Sequence, residues 1–209
     1  MSLAYGICGG FVLAGGKSRR MGQDKALLLF EGRPLGLRAA ELLQQVCGDV
    51  TIVGDPAKYT AWGFPVLRDL YPDRGPLGGI HAALTHCDAP LALVVGCDMP
   101  YLSPEFLHFL VGLARQSEAD AVIPESETFG YEPLCAVYAR ACFAPIEQAL
   151  REDWHKISEV FRTLRLRLIS PSEWRPYDPE GRLFRNLNTL EEYEQARREL
   201  FLRAPQARA

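Results

Sequence analysis

Short apolar runs alternate with longer segments of mixed polarity along this chain of 209 residues. The run at residues 91–97 is the clearest, because it is apolar at almost every position, as a central parallel strand covered on both faces should be. Short buried runs of this kind, closed by turn residues, predict strands. Further strands are predicted at residues 7–14, 49–53, 64–67, 121–124 and 134–138.

Helix signals lie between these strands. Ser103 followed by Pro104 predicts an N-cap and a first helical residue, opening a helix that ends near Arg115. Thr189 and Glu192 have the spacing of a capping box, which predicts the start of the last helix. Other helices are predicted at residues 34–46, 77–85 and 141–151. This alternation predicts an α/β fold, a doubly wound, mostly parallel sheet with helices on both faces.

After the helix predicted at residues 141–151 the chain is less regular. Arg162 and Arg165 belong to a basic stretch and are expected on the surface of a helical segment. Residues 171–179 are expected to form a proline-rich loop. Residues 204–209 are expected to be a frayed tail.

Composition and charge limit the function classes. The length and the 48% hydrophobic content favour one globular domain over residues 1–209. A formal net charge of −3 argues against nucleic acid or an anionic membrane as a partner. No apolar stretch approaches the roughly 20 residues that span a bilayer and no signal-peptide layout opens the chain, so a cytoplasmic location is expected. The six cysteines lack zinc-ligand spacing and are expected to be buried and reduced.

A segment rich in glycine and cations follows the first predicted strand. Residues 13–25 hold three glycines and four cations, a composition that suits a phosphate group because glycines bring backbone N–H groups close to an anion. The segment is not a Walker A loop, since Phe11 stands where that motif needs its first glycine. An ordinary glycine-rich turn with solvated basic residues is the alternative.

Two acids stand at the carboxyl ends of predicted strands. Asp98 follows the central run directly, and Asp69 lies just beyond the weak strand at residues 64–67. Ligands bind at this edge of open α/β sheets. A carboxylate there can hold Mg²⁺ against substrate phosphates. An aspartate that caps the following turn is the alternative for Asp98.

Two further segments contain candidate site residues. Residues 74–80 supply a second glycine-rich loop, expected to be flexible and near the same edge of the sheet. Asn186 and Asn188 are two residues apart, so in an extended segment their amides project to one side. Taken alone, that pair is more typical of a turn than of a binding site.

In combination these segments resemble the molybdenum cofactor guanylyltransferases, over about residues 7–200 and in the correct order. The opening motif is shared with nucleotidyltransferases that act on sugar phosphates and with cytidylyltransferases. The matching motifs are Leu13-Ala14-Gly15-Gly16, Arg20-Met21-Gly22, Asp24-Lys25, residues 75–80, Cys97-Asp98-Met99-Pro100 and Asn186-Leu187-Asn188-Thr189.

The resemblance implies transfer of GMP from GTP to molybdopterin, with release of pyrophosphate and Mg²⁺ as the cofactor. It implies catalytic roles for Lys25, Arg20 and Asp98, with Asp98 as the metal ligand. It implies that the nucleotide is bound by Leu13, Ala14, Gly15, Gly16, Lys25, Asp69 and Asp98, and that Asn186 and Asn188 lie on the acceptor side. Relatives often have asparagine at the end of the second strand, where this chain has Gly54.

Two other readings stay open. The first keeps the fold and changes the substrates, giving a cytidylyltransferase or a sugar-phosphate nucleotidyltransferase, because base choice depends on pocket shape. The second is a non-catalytic adaptor that binds GTP and molybdopterin. Molybdoenzyme apoproteins or other cofactor-assembly proteins are the expected protein partners.

Overall fold

The computed structural model describes residues 6–14, 23–126 and 130–203. Its strands give one mixed sheet and a separate two-stranded hairpin. The strands are β1 (Cys8–Leu13), β2 (Leu29–Phe30), β3 (Arg33–Pro34), β4 (Val50–Val53), β5 (Val66–Leu67), β6 (Leu91–Gly96), β7 (Ala121–Ser126), β8 (Gly130–Tyr131), β9 (Cys135–Ala139) and β10 (Leu166–Ile169). The α-helices are α1 (Leu35–Cys47), α2 (Pro56–Tyr59), α3 (Pro76–His86), α4 (Pro104–Gln116), α5 (Phe143–Arg151), α6 (Ile157–Val160), α7 (Pro171–Trp174) and α8 (Leu190–Arg203).

The sheet has the strand order β10-β7-β9-β6-β1-β4-β5, with β8 paired to β7 and with β2 and β3 forming the hairpin. β1 lies between β4 and β6 and is parallel to both. β9 is antiparallel to both β6 and β7. Because β1, β4 and β6 run in the same direction, their carboxyl ends meet at one edge of the sheet. The predicted fold class is confirmed.

Helices cover both faces of the sheet because successive strand residues point to opposite sides. In β6, Val95 packs in a cluster with residues of α1 and α4, while Val94 packs in a second cluster with residues of α3 and α5. Both valines are fully buried. The fully apolar pattern of β6 therefore reflects a strand with a helix layer on each side.

The capping residues in the sequence correctly predict where α4 and α8 begin. The Ser103 hydroxyl accepts a hydrogen bond from the Phe106 N–H at 3.2 Å, which caps α4 as predicted. The Glu192 N–H donates to the Thr189 hydroxyl at 3.2 Å, and Glu192 Oε2 accepts from the Thr189 N–H at 2.9 Å. The capping box before α8 is confirmed.

Two predictions for the C-terminal part of the chain are wrong. Arg165 does not lie on a helix, because it directly precedes the edge strand β10 and pairs with Asp120 at 2.8 Å. Leu166 and Leu168 pack against one core cluster and Ile169 is buried in the other, so side chains alternate between the two faces of the sheet, which is a strand pattern. Arg162 lies in a single 3₁₀ turn, Phe161–Thr163. The expected proline-rich loop contains the short helix α7, capped by Ser170 and Glu173.

All six cysteines are free and buried, as predicted. Among the residues that the structure describes, no helix is both long enough and apolar enough to cross a membrane. The predicted frayed tail at residues 204–209 lies outside the described residues.

His81 in α3 makes stability depend on pH. It is 3% exposed, stacks on Phe143, and within the described residues neither ring nitrogen has a hydrogen-bond partner. Burial lowers the pKa of His81; Glu147 opposes this change by raising the pKa, and Arg151 and His86 lower it further. Below pH 6.5, the ordinary value, the unfolded chain therefore takes up a proton that the folded protein resists, and stability falls as pH decreases.

We predict that His81→Phe, which keeps a ring stacked on Phe143, reduces this loss. The measurement is the free energy of unfolding by denaturant at two pH values, one above and one below the ordinary histidine pKa, for the wild type and the variant. The wild type should lose more stability on acidification. Equal losses in both proteins would show that His81 is not the responsible group.

Candidate active site

Three polar side chains from distant parts of the chain meet beyond the carboxyl ends of β1 and β6. Lys25 Nζ lies 3.1 Å from Asp98 Oδ2 and donates to Asn188 Oδ1 at 2.7 Å. The side chains of Lys25 and Asp98 are 18% and 19% exposed, so the ion pair is reachable from solvent yet partly desolvated. Partial desolvation strengthens electrostatic interactions relative to a fully solvated surface pair. This contact is referred to below as the Lys25 cluster.

The end of β6 places the Asp98 carboxylate. A Cβ on Gly96 would lie 2.9 Å from Asp98 Oδ1, so the carboxylate folds back over a position that only glycine leaves open. The Leu187 N–H donates to the Asp98 carbonyl at 3.0 Å, and this bond holds the late N-x-N-T segment against the aspartate. Two of the predicted motifs are therefore joined through their backbones as well as through Lys25.

Asp24 positions Lys25 from the other side. Its carboxylate accepts from the Ala26 N–H at 3.1 Å and caps the 3₁₀ turn Lys25–Leu27. The same carboxylate contacts Lys58 Nζ at 2.6 Å and the Tyr59 hydroxyl at 2.8 Å. Lys25 thus begins a turn whose N-cap residue, Asp24, is anchored to α2.

Tyr59 connects this anchor to the end of β1. Its hydroxyl lies 3.0 Å from the Ala14 carbonyl oxygen, and the residue is 2% exposed. Burial, reinforced by Asp24, raises the pKa of Tyr59, so the phenol keeps its proton at neutral pH and acts as a donor. The hydroxyl therefore fixes the spacing between Ala14 and Asp24.

A small hydrophobic cluster holds the late motif in place. We call it the C-terminal cluster. Within it, Leu187 is fully buried between the two asparagines, and the Tyr193 hydroxyl donates to the Leu29 carbonyl at 2.7 Å. The cluster joins the segment after Lys25, the β2–β3 hairpin and α8. Its buried members are Leu28, Phe30, Leu35, Leu187, Tyr193 and Ala196.

The start of α3 borders the site at the same edge of the sheet. A Cβ on Gly79 would lie 2.7 Å from Leu13 Cδ1, and one on Gly78 would lie 2.6 Å from Asp69 Oδ2. Leu13 and Asp69 therefore contact α3 at neighbouring glycines. Burial raises the pKa of the Asp69 carboxyl, while a 2.7 Å hydrogen bond from the Tyr71 N–H opposes the change.

The structure thus relates the predicted site residues as follows. It joins Lys25, Asp98 and Asn188 directly, and it places Leu13 and Ala14 at the end of β1 beside them. Asp69 contacts α3 and Tyr71. Asn186 is separate from the Lys25 contact, and its buried Oδ1 has no partner among the described residues. Gly15, Gly16 and Arg20 lie outside the described residues.

The prediction of a second flexible loop at residues 74–80 is wrong in part. α3 begins at Pro76, so most of this segment is helical. Gly78 and Gly79 serve close packing against side chains, and that requirement explains the glycines better than flexibility does.

Lys58 and Tyr59 belong to no recognisable motif, so their place in the site was not predicted from the sequence. Gly54 offers one signal, since the family resemblance implies asparagine at this position. A Cβ on Gly54 would lie 2.5 Å from Tyr59 Cε2, so glycine is needed to admit the tyrosine ring. Gly54, which departs from the family pattern, and the buried ring of Tyr59 are therefore parts of one structural feature.

A divalent cation at this site would depend on oxygens beyond the protein. Among the described residues, no three His, Cys, Asp or Glu side chains are grouped so as to hold a metal ion. Within these residues, Lys25 is the one side chain that donates a hydrogen bond to the Asp98 carboxylate. One or two carboxylates completed by phosphate oxygens and water suit Mg²⁺, which seldom uses all-protein sites.

Comparison with known proteins shows the family to which the chain is similar. Residues 10–168 match the MobA-like NTP transferase domain. The chain is 39% identical to a molybdenum cofactor guanylyltransferase of Desulfosudis oleivorans, covering 90% of this chain and 93% of that protein. It is 34% identical to one of Syntrophotalea carbinolica, with 90% of each chain covered. The structure of molybdopterin-guanine dinucleotide biosynthesis protein A from Archaeoglobus fulgidus superposes with a TM-score of 0.82 at 27% identity, covering 92% of this chain and 98% of that one.

We predict that Tyr59→Phe weakens the binding of a nucleoside triphosphate about fivefold, because a lost hydrogen bond at this position is worth about 1 kcal/mol. The ring keeps its packing on Trp62, at 4.9 Å between centroids. Isothermal titration calorimetry measures the affinity. Tyr177→Phe is the matched control, since Tyr177 is partly buried and stacks on Phe109 against the core. Unchanged affinity in Tyr59→Phe, or equal losses in both variants, would remove Tyr59 from the site.

Proposed function

Because the chain belongs to the family of MobA-like NTP transferase domains, we propose that it transfers GMP from GTP to molybdopterin. The products are molybdopterin guanine dinucleotide and pyrophosphate. The observation that carries the proposal is the Lys25 cluster, in which a lysine, a carboxylate and an amide meet where a parallel sheet opens to ligands. The guanylyltransferase names of the relatives support the choice of base and acceptor.

The chemistry requires charge neutralisation above all. The acceptor is a phosphate, already an anion and a nucleophile, so no general base is needed. The obstacle is to hold two anionic groups together with the attacking oxygen in line with the departing pyrophosphate. Lys25 meets this need because its ammonium group, already held by Asp98 and Asn188, stabilises negative charge on the phosphates. Arg20 adds a second cation in this proposal.

Asp98 fits the magnesium ion that the reaction needs. Its carboxylate offers hard oxygen ligands at the sheet edge, and Lys25 occupies one of the two oxygens. When bound, Mg²⁺ neutralises phosphate charge and orients the triphosphate. Asp98 would hold the cation through the oxygen that Lys25 does not contact, and Lys25 would add its own positive charge beside the phosphates.

The two substrates take opposite sides of the Lys25 cluster in this proposal. The nucleotide lies over the end of β1, against Leu13 and Ala14, with the guanosine toward Asp69 and the start of α3. Molybdopterin lies on the side of Asn186 and Asn188. The buried, unpaired Oδ1 of Asn186 is an acceptor that substrate can satisfy.

We predict that GTP binds in preference to CTP, ATP and UTP, and that EDTA removes this preference. In the presence of molybdopterin and Mg²⁺, GTP should release pyrophosphate. Calorimetry with each nucleotide and a coupled pyrophosphate assay make the two measurements. A preference for CTP would favour the cytidylyltransferase reading. Tight GTP binding without pyrophosphate release in the presence of molybdopterin would favour the adaptor.

We predict that Lys25→Ala lowers the rate of pyrophosphate release about 100-fold or more, because the lost charge acts on the transition state. The readout is kcat at saturating GTP and molybdopterin. Arg198→Ala, which removes an exposed cation from α8, is the control and should leave kcat unchanged. Turnover by Lys25→Ala at the wild-type rate would exclude Lys25 from the mechanism.

A further inference from the structure

Glu132 is a buried acid that the proposed mechanism does not use. It is 5% exposed, and its Oε1 has no hydrogen-bond partner among the described residues. Ser126 hydrogen-bonds to the carboxyl. The comparable buried acids are satisfied, since Asp120 pairs with Arg165 and Asp178 accepts two backbone N–H bonds. A buried carboxylate left without such partners is costly unless a cation or donor comes to it.

The fold places Glu132 beside the end of β6. The Glu132 N–H donates to the Pro124 carbonyl at 2.9 Å, which ties the residue to β7. The Glu132 carbonyl accepts from the Cys135 N–H at 3.1 Å, so residues 132–135 form a turn that leads into β9. The Gly96 N–H donates to the Leu134 carbonyl at 2.8 Å. This turn therefore lies against the last residue of β6, two positions before Asp98.

The two oxygens of Asp98 face different neighbours. Oδ2 contacts Lys25 at 3.1 Å. Oδ1 lies 2.9 Å from the Cβ position of Gly96, and that same position is 3.5 Å from Leu134 Cβ. Oδ1 is thus the oxygen on the side of the turn that carries Glu132. Burial raises the pKa of Glu132, the hydrogen bond from Ser126 opposes this change, and the charge on Asp98 raises the pKa further.

We propose that Glu132 is a second carboxyl ligand of the divalent cation bound by Asp98. The inference rests on the proposed function for the presence of that cation. Two carboxylates together with phosphate oxygens are a usual magnesium environment. A cation between Asp98 Oδ1 and Glu132 would compensate both negative charges and supply the partner that Glu132 Oε1 lacks. Lys25 then remains on Oδ2, on the opposite side of the carboxylate.

The test measures Mn²⁺ binding without nucleotide, by the electron paramagnetic resonance signal of the free ion. We expect Glu132→Gln to weaken Mn²⁺ binding about 10-fold or more, as loss of a metal-site partner does, and Asp98→Asn to have at least the same effect. Asp120→Asn is the matched control, since it removes the charge of another buried acid, just before the same strand, β7, that ends at Ser126. Its Mn²⁺ affinity should equal that of the wild type.

Equal Mn²⁺ affinity in Glu132→Gln and the wild type overturns the proposal, and so does absence of Mn²⁺ binding by the wild type. Anomalous diffraction from Mn²⁺-soaked wild-type crystals asks the same question without any substitution. A cation within about 2.5 Å of a Glu132 oxygen supports the assignment, and a cation on Asp98 with Glu132 beyond ligand distance rejects it. Because these measurements involve no nucleotide, failure of GTP turnover with an intact Mn²⁺ site would reject the proposed function alone.

Discussion

The contact of Lys25 with Asp98 and Asn188 is the constraint on which the rest of the site depends. Those residues are 73 and 163 positions away from Lys25 in the sequence, and all three are held by backbone bonds or by packing close behind them. A lysine has several rotatable bonds, and ordering its side chain costs entropy that a solvated pair would hardly recover. Here the partner groups are preorganised, so the ammonium group has a defined position before any substrate arrives.

Two supports, which are groups of contacts on different sides of Lys25, hold its ammonium group and the partner groups in place. On one side the Tyr59 hydroxyl and Asp24 fix the turn at Lys25 relative to Ala14 and the end of β1. On the other side the C-terminal cluster, which includes the fully buried Leu187, brings α8 and the β2–β3 hairpin together. Neither support contacts the proposed substrates in our account. They determine the geometry of the charged groups, as second-layer residues of preorganised sites do.

The sequence predicted the features that local chemistry determines. Ser103 and Thr189 predict helix starts because a hydroxyl at an N-cap acts within a few residues. β6 is recognisable in the sequence because both of its faces are buried. The antiparallel direction of β9 and the edge strand β10 depend on which strands become neighbours, and no short window contains that information. Arg165 illustrates the point, since its partner Asp120 is 45 positions away.

The residues of the site also divide into those that the sequence predicts and those that only the fold brings into place. Lys25 and Asp98 stood in recognisable segments, whereas Tyr59 and Glu132 acquire their positions only when α2 meets β1 and when the turn before β9 meets β6.

The central claim is that the Lys25 cluster holds a metal-complexed triphosphate. A crystal structure with Mn²⁺ and a GTP analogue carrying a methylene group between the α- and β-phosphates tests it most directly. Our account predicts a cation on Asp98 that also contacts phosphate oxygens, with Lys25 Nζ within hydrogen-bond distance of a phosphate. A triphosphate bound elsewhere, with Lys25 still engaged only by Asp98 and Asn188, would contradict it.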